Sequence, residues 1–158
     1  MFVAHDVETG VPFGTARLRL MELIGGRALI EASRAAYGAG LAGPGQPAPA
    51  RLMRVRCLRP VQGTDQMTTG LRWEAGGTPG GLFPVLDADL TLASAGPRAS
   101  RLSLAGVYRL AGSDDLDPAL AGEVAGRTVR ALLAAAAAHL SAGAPAAGLP
   151  RTAEAPYP

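Results

Sequence analysis

Two carboxylates, Asp87 and Asp89, alternate with leucine and alanine along one segment of the chain. Paired carboxylates on one face of a strand occur where proteins bind a sugar or a cation. The same pattern is typical of a solvated sheet face whose carboxylates pair with arginine, and we favour this structural interpretation. With a turn at 95–98, Asp87 is predicted to lie diagonally opposite Arg109, which would supply the partner.

Cys57 and His139 are the other side chains considered for catalysis. Cys57 is the one cysteine, so the sequence excludes an internal disulfide and a zinc site built from several cysteines. A catalytic thiolate needs accessible, electropositive surroundings, and we expect Cys57 instead to be a small buried apolar residue. His139 is predicted near the C-terminal end of a helix, with no evident partner for acid–base chemistry. The sequence therefore names no catalytic residue, no metal site and no cofactor.

The side chains best suited to ligand binding are Trp73 and Tyr108, which lie on the inward faces of two predicted strands. Large aromatic rings line apolar ligand sites, and a tyrosine hydroxyl can orient a ligand. Both rings can instead fill a core, which we favour for Trp73, whereas for Tyr108 the two interpretations have about equal weight. Thr128 lies on the buried face of a predicted helix, where its hydroxyl is expected to bond the carbonyl four residues earlier.

Alternation with a period of two predicts the strands that position these residues. Antiparallel strands with one buried face are expected at residues 2–9, 51–61, 66–75, 85–93 and 101–110. The turn at 95–98 joins the last two strands as a hairpin. Gly106 lies in mid-strand on the inward face, and we expect it to mark a bend that lets the sheet curl rather than space beside a ligand.

Two modest helices are predicted at 15–24 and 27–37, separated at the Gly25-Gly26 pair, although the second segment also fits a strand. The Gly and Pro residues between 38 and 50 predict that neither a helix nor a central strand forms there.

A long third helix is predicted from an Asp117 cap to about Ser141, with Pro118 in its first position. Its buried face carries mostly small residues, and we expect the space beside them to be a void rather than a closely packed contact. These residues are Ala121, Ala125, Thr128, Leu132, Ala136 and His139.

Composition is typical of a soluble single-domain protein. The chain has 158 residues, 48% of them apolar, and a net charge of +2, which gives no nucleic-acid-binding footprint. The longest apolar run, at 131–138, is too short to cross a bilayer, and the first residues do not resemble a signal peptide. We expect a cytoplasmic domain at 1–142, followed by a disordered tail rich in Pro and Ala at 143–158.

The order of these elements resembles the helix-grip fold of the START-like (SRPBCC) superfamily, which includes pollen-allergen-type proteins, polyketide cyclases and aromatases. The segments that carry the resemblance are Leu82–Leu92, Leu102–Leu110 and Asp117–Leu133. The resemblance implies an α+β fold in which a curved antiparallel sheet grips the last helix. It also implies a cavity between them, which in this superfamily often holds lipids, sterols, polyketides or other apolar molecules. The sequence shows about five strands, where the family usually has six or seven, and no catalytic pattern of the family transfers to it.

Three functional hypotheses follow. The first is a protein that binds an apolar, lipid- or polyketide-like small molecule, with a cavity lined by Met67, Trp73, Leu90, Leu104, Tyr108, Ala125, Thr128 and Leu132. The second is a cyclase or aromatase in which Tyr108, Thr128 or His139 guides proton transfer. The third is a non-catalytic module that dimerises through a sheet edge or a helix, and a homodimer stays open under all three. Neither nucleic acid nor stable membrane insertion is expected.

Overall fold

The alternating segments build an antiparallel sheet that is buried on one face. The computed structural model describes residues 1–42, 52–76, 83–111 and 117–142. Its elements in chain order are β1 (Phe2–Thr9), α1 (Phe13–Gly25), α2 (Ala28–Ala42), β2 (Leu52–Cys57), β3 (Val61–Gln62), β4 (Gln66–Gly76), β5 (Phe83–Ser94), β6 (Ser100–Ala111) and α3 (Pro118–Ser141). The strands lie side by side in the order β1-β6-β5-β4-β2, and β3 also pairs with β4. The curved sheet wraps around α3, so the fold is α+β and of the helix-grip type.

The register of the strands sorts the core into rows that cross the sheet. Trp73 lies opposite Leu86, which lies opposite Tyr108 on the next strand. Further along the same face, Thr69, Leu90 and Leu104 form a second row. All of these side chains are buried, because the helices cover this inner face: α3 lies against β1 and β6, α1 against β5 and α2 against β2. Directly paired residues share a face, so the intervening positions form a solvent-facing outer face.

The hairpin of β5 and β6 is confirmed. The backbone N–H of Ala95 donates to the carbonyl of Ala99 at 3.0 Å, which closes the turn between the two strands. Gly96 has a φ of 129°, a conformation that residues with a side chain rarely adopt. The resulting register sets Asp87 opposite Val107 and diagonal to Arg109, whose guanidinium lies 2.7 Å from the Asp87 carboxylate.

The prediction of one strand over 51–61 is wrong, and the sheet has six strands rather than five. Cys57 opposes Leu71 and Val61 opposes Thr68, so four steps along one chain match three along β4. The extra residue forms a β-bulge. The bulged segment includes Pro60, which has no N–H to donate to the neighbouring strand. The N–H of Leu58 still donates to the carbonyl of Gly70 at 2.8 Å, so the chain stays close to β4 through the break.

The segment 27–37 is helical, and its alternative interpretation as a strand is wrong. The break at Gly25-Gly26 is confirmed, since α1 ends at Gly25. The prediction that no helix extends beyond residue 38 is wrong, because α2 continues to Ala42. Residues 43–50, like the expected tail at 143–158, lie outside the described part of the chain.

Packing against α3 explains why α2 tolerates glycine. A Cβ placed on Gly40 would lie 1.8 Å from Oγ1 of Thr128 and 3.3 Å from the carbonyl oxygen of Val124. The guanidinium of Arg127 donates to the Gly40 carbonyl at 3.0 Å. The close approach of the two helices therefore outweighs the intrinsic cost of glycine in a helix, about 1 kcal/mol per residue.

The bounds and cap of α3 are confirmed. The Asp117 carboxylate accepts a hydrogen bond from the N–H of Ala119 at 2.9 Å, and Pro118 occupies the first turn. Arg127 and Glu123, one turn apart, form an ion pair at 2.5 Å. The buried face is wider than the predicted small-residue stripe, since it also contains Val124, Gly126, Val129, Leu133 and Leu140.

Gly106 allows β5 and β6 to come unusually close together. A Cβ at this position would lie 2.2 Å from the carbonyl oxygen of Asp87 and 2.4 Å from the Cα of Ala88. The space beside Gly106 is thus filled by the neighbouring strand rather than left open, which supports the expectation that this glycine serves the curvature of the sheet.

Truncation of inner-face leucines should be costly. Leu90 and Leu104 lie opposite each other and are 2% and 0% exposed, so either Leu→Ala change should lower the free energy of unfolding by about 2–5 kcal/mol. Chemical denaturation would measure this loss. Leu58→Ala is the matched control, because Leu58 is 71% exposed and its truncation should cost about 0.5 kcal/mol or less. Equal losses at all three positions would contradict the assignment of faces.

Substitution of Gly40 should test the contact between α2 and α3. Gly40→Ala should destabilise the protein even though alanine favours helices, because the new methyl group would overlap Oγ1 of Thr128. In a double-mutant cycle measured by chemical denaturation, Thr128→Ala should remove part of that loss. Gly25→Ala is the control, since a Cβ there meets no atom within 4 Å. A stabilised Gly40→Ala variant would show that the helices are further apart.

Candidate ligand-binding site

The eight residues predicted to line a cavity are all buried between the sheet and the helices. Five lie on the inner sheet face and three on α3: Met67, Trp73, Leu90, Leu104, Tyr108, Ala125, Thr128 and Leu132. They do not form one cluster. Met67 lies six residues from Trp73 along β4, which corresponds to about 20 Å.

Trp73 and Tyr108 form the centre of the site. Their rings make an edge-to-face contact with centroids 6.1 Å apart and planes at 78°. Trp73 is 0% and Tyr108 1% exposed, so both are sealed from solvent by the layers around them. Leu86 lies between them on β5 and fixes their separation.

The Tyr108 hydroxyl lies beside hydroxyls from two helices. Burial raises the pKa of Tyr108 to about 12, the nearby Tyr37 adds to the rise, and the Thr128 hydroxyl lies close enough to oppose it. Thr128 donates its hydroxyl hydrogen to the Val124 carbonyl at 2.8 Å, as predicted. Its oxygen can therefore only accept a hydrogen bond from a neighbouring group. Tyr108 nevertheless completes no hydrogen bond with the described residues. Its hydroxyl is therefore protonated at neutral pH and available to donate.

Two more buried polar atoms lack a partner among the described residues and bear on this site. The indole Nε1 of Trp73 can only donate a hydrogen bond, and the Oγ of Ser33 lies one helical turn from Tyr37 on the same face of α2. A buried donor without an acceptor costs about 1–3 kcal/mol. We refer to Ser33, Tyr37, Trp73, Tyr108 and Thr128 as the inner polar cluster.

The contribution of α2 to this cluster was not predicted. Ser33 and Tyr37 are four residues apart on an alanine-lined face, which is a helical signal in the sequence. That spacing indicates a buried face but not the element that it covers. Only the tertiary contact of α2 with α3 brings Tyr37 to Tyr108.

The other candidate catalytic residues lie outside the cluster. His139 is half-buried and lies eleven residues beyond Thr128 on α3, about 16 Å along the helix axis. Cys57 is half-buried on the inner side of β2, and burial raises the pKa of its thiol, which disfavours a thiolate. Within the described ranges, no group of three His, Cys, Asp or Glu residues is arranged to hold a metal ion. Nor does a helix in those ranges have the length and apolarity needed to cross a bilayer.

Asp87 and Asp89 lie on the outer face, away from the cluster. Asp87 bonds Arg109 at 2.7 Å and Arg72 at 3.4 Å, which confirms its structural role. Arg72 also bonds Glu74 at 2.8 Å, and this bond lowers the pKa of the Glu74 carboxyl. Asp89 is exposed and makes no ion pair with any described residue.

Comparisons with known proteins support the fold. No family model matches the sequence, and no curated protein matches it. A conserved protein from Geobacillus kaustophilus aligns with a TM-score of 0.57 at 8% identity, over 89% of this chain and 95% of that one. Its similarity shows a shared fold.

Two further solved structures align more distantly. A protein from Thermus thermophilus gives a TM-score of 0.49 at 10% identity, covering 89% of this chain and 97% of its own. The Zhui aromatase/cyclase of a Streptomyces species gives 0.39 at 15% identity, covering 89% and 93%. At these scores neither likeness bears on the function of this chain.

Stability should fall at high pH because of Tyr108. Its pKa of about 12 in the fold exceeds the ordinary value of 10.0, so the fold favours the protonated hydroxyl. This contribution is complete below pH 10 and is lost as the pH rises through 12, up to about 2–3 kcal/mol. Chemical denaturation across this window would measure it. The chain has no lysine to titrate there, and Tyr108→Phe should flatten the dependence; an unchanged slope in that variant would contradict the assignment.

Proposed function

We propose that the protein binds a small apolar or aromatic molecule between the inner face of its sheet and α3. The observation that carries this proposal is the inner polar cluster. Trp73 Nε1 and the Tyr108 hydroxyl are buried beside each other's rings and have no partner among the described residues. Buried donors are rarely left without an acceptor, so an oxygen atom of a bound molecule is a natural complement.

The chemistry of the two donors specifies the polar part of the ligand. The indole N–H can only donate, and the raised pKa of Tyr108 keeps its hydroxyl protonated and able to donate. Thr128 has already committed its hydrogen to Val124. The inner polar cluster contains no cation, so its two neutral donors favour a carbonyl or ether oxygen over a carboxylate, which would require stronger charge compensation.

The apolar part of the ligand would lie along the small residues of the helix layer. Ala125 on α3 and Ala36 on α2 are 0% and 1% exposed, and neither side chain reaches far into the interface. Because Trp73 and Tyr108 are closed off from solvent, capture of a ligand requires the helix layer to separate transiently from the sheet. This motion would give the ligand a path to the space beside the small side chains.

A cyclase- or aromatase-type enzyme is the second candidate, and the convergence of hydroxyls from three elements favours it. Tyr37, Tyr108 and Thr128 meet at one place, where the Tyr108 hydroxyl could donate to a carbonyl oxygen of a folded substrate. Tyr108 would act as a donor that polarises a carbonyl and not as a base, because its pKa lies far above neutrality. No carboxylate or imidazole belongs to the inner polar cluster, so binding is the function that the geometry supports best.

Native mass spectrometry of protein purified from its own host should reveal a retained small molecule that carries an aromatic or aliphatic body and an oxygen acceptor. Tyr108→Phe removes a donor without removing a bond seen in the structure, so the fold should persist while the retained ligand is lost. A ligand retained equally by wild type and Tyr108→Phe would contradict the proposed role of the hydroxyl.

A second test uses volume. Ala125→Phe should fill the ligand space and should reduce uptake of an apolar fluorescent probe at least about tenfold, with little loss of stability. In a core with no room for a ligand, the same change would overpack the interface and cost about 1–3 kcal/mol. Ala134→Phe is the matched control, since Ala134 is exposed on the same helix. A destabilised Ala125→Phe variant, together with a wild type that binds no probe, would overturn the proposal.

A further inference from the structure

The outer face of the sheet, opposite α3, carries an open groove of about 490 Å³. Its floor is formed by small residues, Gly70, Ala105 and Gly106, together with Ala88. Leu58 forms one wall and leans over Gly70, where a Cβ would lie 2.8 Å from its Cδ1 atom. We refer to this feature as the outer groove.

Two charges at the outer groove are unpaired within the described ranges. Arg72, Asp87, Glu74 and Arg109 neutralise one another through contacts of 2.7–3.4 Å. Arg56 and Asp89 line the groove as well, both exposed, and neither has an ion-pair partner within 4 Å among the described residues.

Within one molecule Arg56 lies near the Glu74 carboxylate, which it shares with Arg54 and Arg72. Arg56 also lies directly opposite Arg72 on the neighbouring strand, and like charges in that relation repel each other. An additional anion beside Arg56 would relieve this repulsion.

We propose that the outer groove is the interface of a homodimer, in which two copies pack face to face about a two-fold axis. In a two-fold interface the same patch meets itself, so a patch that holds one unpaired charge of each sign is self-complementary. Rotation by 180° brings Arg56 of each copy to Asp89 of the other. The register sets these residues two strands apart and one row along, a separation of about 12 Å that the axis would bisect.

Exposed apolar side chains on the same face supply the rest of the contact. Leu58 is 71% exposed beside the groove, and Val61, opposite Thr68, is 76% exposed. Phe2 and Val107 oppose each other across β1 and β6 and are 71% and 40% exposed. Leu58 lies close to the proposed axis, so the Leu58 side chains of the two copies would pack against each other beside the groove and would be removed from water.

A second copy fits this face better than a partner of a single charge sign. The groove is open rather than enclosed, its charges are balanced, and the apolar residues extend beyond it on both sides. A face five strands wide measures about 24 Å across. The area that two copies could bury on it is therefore at the small end for a stable protein interface. The dimer should therefore be concentration-dependent and sensitive to salt.

Sedimentation velocity over a range of concentrations would test the proposal with charge-reversal variants. Wild type should dimerise, and Arg56→Asp or Asp89→Arg alone should each raise the dissociation constant at least about tenfold. An equimolar mixture of the two single variants should dimerise again, because each interface then pairs opposite charges at both ends. The double variant should also dimerise by itself. This rescue requires the two residues to meet between molecules.

Apolar and charged controls separate the outer groove from other surfaces. Leu58→Asp should abolish dimerisation, whereas Leu18→Asp should not, since Leu18 is 62% exposed on α1 in the helix layer. Arg34→Asp, at an exposed position of α2, controls for the change in net charge. A wild type that is monomeric at every concentration would overturn the proposal. The outer groove would then have to bind a molecule other than a second copy of this chain. A dimer that is insensitive to Arg56→Asp, Asp89→Arg and Leu58→Asp would overturn the proposal equally.

Discussion

The buried surface of α3 covers about 200° of the helix circumference at 100° per residue, from Val124 on one side to Gly126 on the other. The sheet can cover only part of so wide a surface, because a sheet and a helix meet along a single stripe. The remainder is covered by α2, whose Gly40 lies against Thr128, and by α1, whose Arg19 donates to the carbonyl of Leu140 at the helix end. The helix-grip arrangement thus depends on α3 having two apolar sides, one for the sheet and one for the helix layer.

The inner polar cluster lies where these layers meet. A side chain between two layers is surrounded by apolar atoms from both, so its polar atoms depend on a few neighbours for hydrogen bonds. Tyr108 reaches from the sheet to the boundary between α2 and α3, where Tyr37 and Thr128 are its polar neighbours. Thr128 donates its hydrogen within the helix, and Tyr108 completes no hydrogen bond with a described residue. The same geometry that seals the core therefore leaves two neighbouring groups, the Tyr108 hydroxyl and Trp73 Nε1, without a hydrogen-bond partner among the described residues.

Local rules in the sequence predict the sheet better than they predict the helix layer. Alternation and the turn before β6 were enough to predict the buried faces and the contact of Asp87 with Arg109, since register follows from the hairpin.

The predictions at Gly40 and Pro60 were wrong for opposite reasons. Glycine is normally a helix breaker, but Gly40 is favoured by the close approach of α3, which no local pattern encodes. Pro60 lies in an alternating run and marks a bulge, which splits one predicted strand into two. Trp73 and Tyr108 were found from alternation, whereas Tyr37 was missed because its neighbour lies 71 positions away in the sequence.

The two faces of the sheet can carry two separate functions because successive residues of a strand point in opposite directions. On β4, Arg72 reaches the outer groove while Trp73 enters the core, and on β5 Asp87 and Leu86 divide in the same way. Gly106 belongs to the inner register and, like Leu71 and Ala88, also lines the outer groove. A bulky residue in place of Gly106 would overlap the backbone of β5 and would disturb both faces at once. At Arg56 or Asp89, by contrast, the side chain projects only outward, so a substitution alters the outer surface and leaves the packing around Trp73 and Tyr108 intact.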